Sequence, residues 1–429
     1  MTSEPEIVRP REAFVWIWLP GRTVPVVAGR IRARDDHFAF TYGRSYLERE
    51  GAIPIYAPEL PLRRGPIRPE PPLEIAGALR DAAPDAWGRR VIAYRLFAGR
   101  GGMREDQPEE LGELTFLLLS GSDRIGALDF QPSPGEYAPR EASPASLEQL
   151  LTAAERVERG LPLSPGLADA LLHGTSIGGA MPKAQIREGN KQYIAKFLYP
   201  TSLPYNLVKA EFVAMRLANL AGLDVAPVRL TRCMDKDVLL VQRFDRDHTE
   251  EGVTRRAMVS ALTLFGLDER LAAYASYEYL ADILRARAIA PRETLAELFS
   301  RMTFNILSGN TDDHARNHAA FWDGSRLALT PAYDICPQPR TGREASQAMR
   351  IHGQERRAQL SLCLAAAPKF LLSEDRALAI MSRQITAISD NWEAVCDEAA
   401  LGIADRRLLW RRQFLNDLAF DGLKNRLAL

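Results

Sequence analysis

Cysteine is scarce and scattered. The four residues Cys233, Cys336, Cys363 and Cys396 include no Cys-x-x-Cys pair, so neither a disulfide framework nor a Cys-based zinc site is expected, and the usage fits a reducing compartment. A charge excess is missing too: 55 Lys+Arg stand against 55 Asp+Glu, which removes the usual footprint of a nucleic-acid binder and leaves only local basic patches open. No apolar run approaches the ~18 residues a membrane helix needs. The stretch around Leu114–Leu119 is typical of those present. The opening MTSEPEIVRPRE has no basic start leading into an apolar core, so no secretory signal is expected and the reading is a cytoplasmic protein that does not meet a membrane. Repeats and low-complexity tracts are not evident. With 46% hydrophobic and 26% charged residues, the 429-residue chain has an ordinary globular composition. At about 100–200 residues per domain, its length suggests two or three domains.

Between Ala13 and about Tyr42 three runs, AFVWIWL, VPVVAGRI and HFAFTYG, alternate apolar, aromatic and β-branched residues, with Pro20-Gly21 marking the first turn. This predicts an antiparallel meander. A Pro-rich connection, Pro54 to Pro72, leads to a helix expected over Ala76–Phe97, where apolar residues recur at three- and four-residue spacing. Residues 114–130, LTFLLLSGSDRIGALDF, read as helix end, turn and strand. Gln131–Pro144 holds four prolines and is the best linker candidate, which makes residues 1–140 a β-rich first domain. In 145–245, AQIR and KQYIAKFL flank a turn at Glu188–Asn190. Asn206–Ala221 reads as a helix ended by Gly222, and APVRLTRCMDKDVLLVQRF as two strands around Asp235–Asp237. After about Thr254 the chain reads as almost wholly helical, apart from a loop-and-strand island from Gly309 to Pro339. Residues 145–245 and 246–429 would then be a mixed α/β lobe and a helical lobe, an order suited to trapping a nucleotide.

The strongest chemical signal is SGNTDDHARNH (308–318) followed by LTPAYDI (329–335). Asp312 and Asn317 have four residues between them, the spacing of the catalytic-loop Asp and Asn of protein kinases. Asp334 follows a short expected strand, as a second metal-binding carboxylate should. One carboxylate must orient a nucleophile, while a carboxylate and an amide oxygen offer hard ligands to Mg²⁺. Taken alone, Asp-x4-Asn is more often a polar loop with capping residues. Upstream, however, Tyr193-Ile194-Ala195-Lys196 resembles a strand whose Lys grips nucleotide phosphates, and Glu211 lies fifteen residues on in an expected helix. Before both stands SIGGAMPK (176–183), a Gly-containing turn whose small residues let backbone N–H groups approach phosphate oxygens. Each feature is weak by itself; their collinear order is hard to obtain by accident. A rival reading puts zinc on His314 and His318, i and i+4, with Asp312 or Asp313, but HExxH is absent and a third ligand has no obvious source. Arg406, Arg407, Arg411 and Arg412 near Trp410 could touch phosphate backbone, though such a cluster is more often a solvated helix face.

The sequence resembles the HipA family, the serine/threonine kinase toxins of bacterial type II toxin–antitoxin pairs. The segments that carry the resemblance are TSIGGAMPKA (175–184), VQRFDR (241–246), GNTDDHARN (309–317) and TPAYDI (330–335), with LRDAAPDAWGRRVI (79–92) and GSDRIGALDF (121–130) in the first domain. It implies an α+β, two-lobed protein-kinase-like fold with a mixed α/β N-lobe, a helical C-lobe and an extra β-rich N-terminal interaction domain. It also implies the roles. Asp312 would be catalytic, Asn317 and Asp334 would hold Mg²⁺, and Lys196, paired with Glu211, would bind ATP phosphates. Gly178, Gly179, Ala180, Met181, Pro182 and Lys183 would form the phosphate loop, and Gln242, Arg243 and Phe244 the hinge at the adenine. His314 and Tyr333 would lie near the nucleotide, and Ser176 would be a self-inhibitory autophosphorylation site. Gln242 stands where the family carries an acidic residue. The expected partners are a small dimeric helix-turn-helix antitoxin (HipB-like), DNA only through it, and a translation-related substrate, typically an aminoacyl-tRNA synthetase. The competing class is a catalytically silent pseudokinase that serves as an antitoxin corepressor.

Overall fold

The computed structural model describes residues 10–97, 111–141, 145–161, 163–164, 166–168, 171, 181–197, 203–340, 342 and 344–427. The chain forms two compact units, Met1–Ala195 with Asp245–Met258, and Lys196–Phe244 with Val259–Leu429. This is a different cut from the three consecutive segments expected above.

In the first unit β1 (Glu12–Ile17), β2 (Val26–Ala33) and β3 (Phe38–Tyr42) make the antiparallel meander, and β4 (Leu128–Gln131) joins the far side of β1. Burial alternates along β1 up to the register shift at Val15/Trp16, beyond which both faces are covered. The second cover is Tyr137, whose ring centroid lies 5.3 Å from that of Trp16 and 5.4 Å from that of Trp18. Tyr137 Oη also donates to fully buried Asp129 at 3.1 Å, and Arg140 Nη2 donates to the same carboxylate at 2.8 Å. The linker candidate is therefore fastened to this unit at Tyr137 and Arg140.

The helix expected over Ala76–Phe97 is broken into one turn, Gly77–Arg80, and α1 (Ala86–Phe97). Pro84 disfavours helical backbone at Ala83 and offers no N–H. Asp85 then restarts the helix, its Oδ1 accepting from the Gly88 N–H at 2.7 Å. Helices α2 (Glu113–Leu119) and α3 (Leu147–Glu158) follow, the latter opened by a Ser146/Gln149 capping box. Strands β5 (Lys183–Glu188) and β6 (Lys191–Phe197) flank the expected turn. A hairpin of Arg246–Thr249 and Gly252–Arg255, which the sequence reading did not separate from its surroundings, completes the unit.

The second unit begins at Lys196, inside β6. Helix α4 (Leu207–Leu220) is capped by Asn206, which accepts from Lys209 N–H at 3.1 Å. Strands β7 (Val228–Cys233) and β8 (Lys236–Gln242) pair antiparallel through Met234 and Asp235, both at positive φ as a two-residue hairpin turn needs. The helical part includes α5 (Tyr277–Arg287), α6 (Pro291–Ser308) and α7 (Glu374–Glu398). From Leu298 to Ser308 every residue of α6 is buried, which makes it the central helix of this part. Its interior polar groups are bonded: Thr303 Oγ1 lies 2.8 Å from Gln384 Oε1 and Gln384 Nε2 donates to Ser300 O at 2.7 Å. Strands β9 (Ala319–Trp322) and β10 (Leu327–Leu329) form the hairpin of the 309–339 island. No helix among the described residues is long and apolar enough to cross a membrane.

Candidate active site

The site in the second unit starts where α6 ends. Gly309 closes that helix at φ +73, and a Cβ there would lie 2.9 Å from both Cα and O of Gln413. Only glycine fits that conformation at that distance from another backbone. The chain then turns into the loop carrying Asp312, His314 and Asn317. This loop is held by its own backbone: His314 N donates to Asp312 O at 2.8 Å and Asn317 N to His314 O at 2.9 Å. Asn317 Nδ2 donates to Asp312 O at 3.1 Å, so the amide nitrogen is engaged and what Asn317 has left to offer is its oxygen.

Lys196, near the end of β6, donates through Nζ to Glu211 Oε1 at 2.6 Å and to Asp334 Oδ1. Burial works against its charge, but the carboxylates of Asp334 and Glu211 outweigh it and hold the ammonium above the ordinary lysine range. Glu211 projects from α4 and is almost fully buried; Asp334 is partly open to solvent. Asp334 also sits at φ +60, an uncommon conformation for a residue with a Cβ and one that clusters at functional sites. Burial raises the Asp312 carboxyl above the usual aspartate value; His314 pulls the other way, and the charge of Asp334 adds to the rise. Cys336, buried two residues past Asp334, has its thiol pushed well up by burial and then by Glu211 and Asp334. The Asn317 amide oxygen and the Asp334 carboxylate are hard oxygen donors of the kind a divalent cation takes alongside phosphate and water, and such a cation would offset the effect of Asp334 on Asp312.

Phe244 lies with its ring centroid 5.7 Å from Tyr333 and 6.0 Å from Phe321, while Tyr333 Oη donates to Arg316 O at 2.7 Å. Gln242 ends β8 with its N–H on Pro227 O at 2.9 Å, and Arg243 is buried. Lys196, Glu211 and Asp334 are thus in direct contact, Asp312 and Asn317 share one loop, and Phe244 meets Tyr333. Lys183 belongs to the first unit, where its buried Nζ is 3.2 Å from Asp85 Oδ2. Met181 is half-buried and Pro182 buried, also in the first unit. Ser176, Gly178, Gly179 and Ala180 lie outside the described residues.

The zinc alternative loses its geometry. Ala315–Asn317 is a single 3-10 turn, so His314 and His318 do not share an α-helical face. His318 Nε2 is 2.9 Å from Asp313 Oδ1, both buried, and its ring packs edge-on against Tyr277. No group of three or more His, Cys, Asp or Glu among the described residues is placed to hold a metal ion. Arg406 is neutralised by Glu393 at 2.7 Å and by Asp397 at 2.5 Å, as on a solvated face. Sequence reasoning passed over Asn310, which is buried and ties the loop together: its Nδ2 donates to Asn305 Oδ1 at 3.0 Å and to Asp334 O at 3.4 Å. The only signal was its place inside the G-N-T-D-D motif.

A family model described as the HipA-like C-terminal domain matches residues 175–392, and one described as the HipA N-terminal domain matches residues 17–131. The Y4mE protein of Sinorhizobium fredii is 26% identical over 338 residues, 74% of this chain and 76% of that protein. The serine/threonine-protein kinase toxin HipA of Shewanella oneidensis is 26% identical over 250 residues, 52% of this chain and 56% of its own length. Among solved structures, a chain from the Shewanella oneidensis MR-1 complex of HipA, HipB and operator DNA superposes with a TM-score of 0.61 at 20% identity, covering 92% of this chain and 97% of that one. That likeness shows the fold: kinase-like, with a β-rich N-terminal region.

Proposed function

The chain belongs to the HipA family, and from that premise we propose that it is an ATP- and Mg²⁺-dependent serine/threonine protein kinase acting as a growth-arresting toxin. The observation that carries the proposal is Lys196 bound at once to Glu211 on α4 and to Asp334 after the catalytic loop. A buried lysine drawn between two carboxylates is a costly arrangement that a phosphate-handling site explains.

In this reading Glu211 holds the Lys196 ammonium in place to meet phosphate oxygens. Asp312 orients the substrate hydroxyl and accepts its proton, and Asn317 and Asp334 would hold Mg²⁺. The ion, when bound, supplies charge neutralisation for the phosphates. Catalysis then rests on positioning and electrostatics, with in-line transfer of the γ-phosphoryl group to a serine or threonine hydroxyl. Phe244 and Tyr333 give the base an aromatic neighbourhood, and the backbone of Gln242–Phe244 would meet the adenine edge.

The target would be a translation-related protein, typically an aminoacyl-tRNA synthetase. A small dimeric HipB-like antitoxin would restrain the enzyme, with DNA reached only through it. Support comes from the likeness to a HipA solved with HipB and operator DNA. Phosphorylation of Ser176 would add about −1.5 to −2 charges and silence the enzyme. Purified protein incubated with labelled ATP, Mg²⁺ and a bacterial lysate should label serine or threonine in a discrete protein. Absence of any transfer, to lysate proteins or to the chain itself, would contradict the proposal.

A further inference from the structure

The loop after α6 carries two consecutive aspartates, and only one of them is buried. Asp312 reaches solvent, whereas Asp313 is enclosed by the second unit. Asp313 Oδ1 accepts from His318 Nε2 at 2.9 Å, and both side chains are almost fully buried. The imidazole packs edge-on against Tyr277, ring centroids 5.4 Å apart, and Tyr277 Oη lies 3.4 Å from the same Nε2. Neither Asp313 Oδ2 nor His318 Nδ1 meets a hydrogen-bond partner among the described residues. His318 is moored through its backbone as well, its carbonyl accepting from Ala261 N–H at 2.8 Å.

The two members of this pair flank the residues assigned to the chemistry. Asp313 follows Asp312, and His318 follows Asn317. Between them Asn317 Nδ2 and His314 N both converge on Asp312 O, at 3.1 and 2.8 Å. Those bonds tie the loop to itself, and the Asp313–His318 contact ties it to the core beneath. Because the peptide between residues 312 and 313 is planar, anchoring Asp313 restricts how the Asp312 backbone can rotate. Burying a carboxylate and an imidazole costs desolvation that an apolar pair of similar volume would avoid. What the polar pair adds is direction: one donor must meet one acceptor, whereas apolar packing fills space without fixing an angle.

We propose that the Asp313–His318 hydrogen bond is a cross-brace under this loop, which turns Asp312 rather than its neighbour toward the substrate hydroxyl and holds it there. The sequence offers two adjacent carboxylates, and the brace decides which of them is presented. The claim deepens the kinase reading and rests on it. Asp313 and His318 are positioning residues that act through Asp312.

The test compares two pairs of variants in the full chain. Asp313→Asn and His318→Gln keep the bond, since an asparagine oxygen still accepts and a glutamine amide nitrogen reaches the place of Nε2. Asp313→Ala and His318→Asn break it, the shorter amide reaching only the place of Nδ1. Each is assayed well below its own melting temperature, with its folded fraction counted by ATP-binding stoichiometry. Per ATP-binding molecule, kcat should fall by about 10²-fold in the breaking pair, far more than ATP affinity, because misplacing Asp312 acts on the transition state. The keeping pair should recover most of that rate. Unchanged kcat in the breaking variants would overturn the proposal. So would equal losses in breaking and keeping variants, or in kcat and ATP affinity alike, which would mark the pair as ordinary core packing. If Asp313→Ala does not accumulate as folded protein, the two His318 variants decide by the same comparison. A wild type that binds ATP and transfers no phosphoryl group would overturn the kinase reading and the brace with it, whereas an active wild type matched by the breaking variants would overturn the brace alone.

Discussion

Asp312 is the residue on which chemistry and stability oppose each other. Its raised carboxyl means that ionisation is disfavoured in the folded state, by burial first and by the charge of Asp334 after His314 has pulled the other way. The penalty is absent below the ordinary aspartate value, where folded and unfolded chains are both protonated, and full above the raised value. Asp312→Asn should therefore raise the melting temperature near neutral pH, and the gain should fade on acidification. The same variant should bind ATP nearly as wild type and lose about 10²–10⁴-fold in transfer rate, the usual worth of a general base. In the wild type, the acid limb of the rate profile should lie at higher pH than an unperturbed aspartate would give. Lys196 behaves in the opposite way. Lys196→Met leaves the buried carboxylate of Glu211 without its cation and should cost about 3 kcal/mol or more. Lys196→Met combined with Glu211→Met should recover much of that stability in a thermal melt while ATP binding stays lost.

At the scale of elements, the account depends on where helices stop. Gly309 ends α6 and releases the loop carrying Asp312, so Gly309→Ala forces a Cβ against the Gln413 backbone in a disfavoured conformation. It should destabilise by about 1–3 kcal/mol and lower transfer more than nucleotide binding, because the loop carrying Asp312 moves. Such features were largely readable in the sequence. The Asp-x4-Asn spacing, the strand carrying Lys196 and the helix carrying Glu211 are local patterns, and the three-run meander shows its period of two directly. What could not be read were contacts between residues far apart in the chain. Lys183 was read as part of a phosphate loop, and nothing in a one-dimensional pattern points to Asp85, 98 positions away. Asp245, whose carboxylate accepts from the Gly126 N–H, is separated from it by 119 positions, and neither carries a periodic signal. The break at Pro84 is different: Pro84-Asp85 is a visible stop-and-restart signal, and apolar periodicity on both sides masked it.

For the whole molecule, the balanced charge and the division into two units bear on how the N-terminal region works. The sequence predicts an interaction domain over residues 1–140 with its linker candidate at Gln131–Pro144. In the structure this region shares its unit with the 246–255 hairpin, and the linker candidate is fastened by Tyr137 and Arg140. A chain beginning near Ala145 would leave buried Asp245 and Arg246 without their partners Gly126 and Asp123. It should melt well below the full chain or fail to accumulate as folded protein, whereas a freely detachable module would leave the melting temperature unchanged. The central claim is phosphoryl transfer itself. The most direct measurement is labelled-phosphate incorporation from ATP, with Mg²⁺ and lysate, by wild type and Asp312→Asn side by side, with ATP binding confirmed for both. The account predicts serine or threonine labelling by the wild type that collapses in the variant while ATP stays bound. No labelling by a nucleotide-bound wild type, or labelling by the variant within about tenfold of it, would contradict the account.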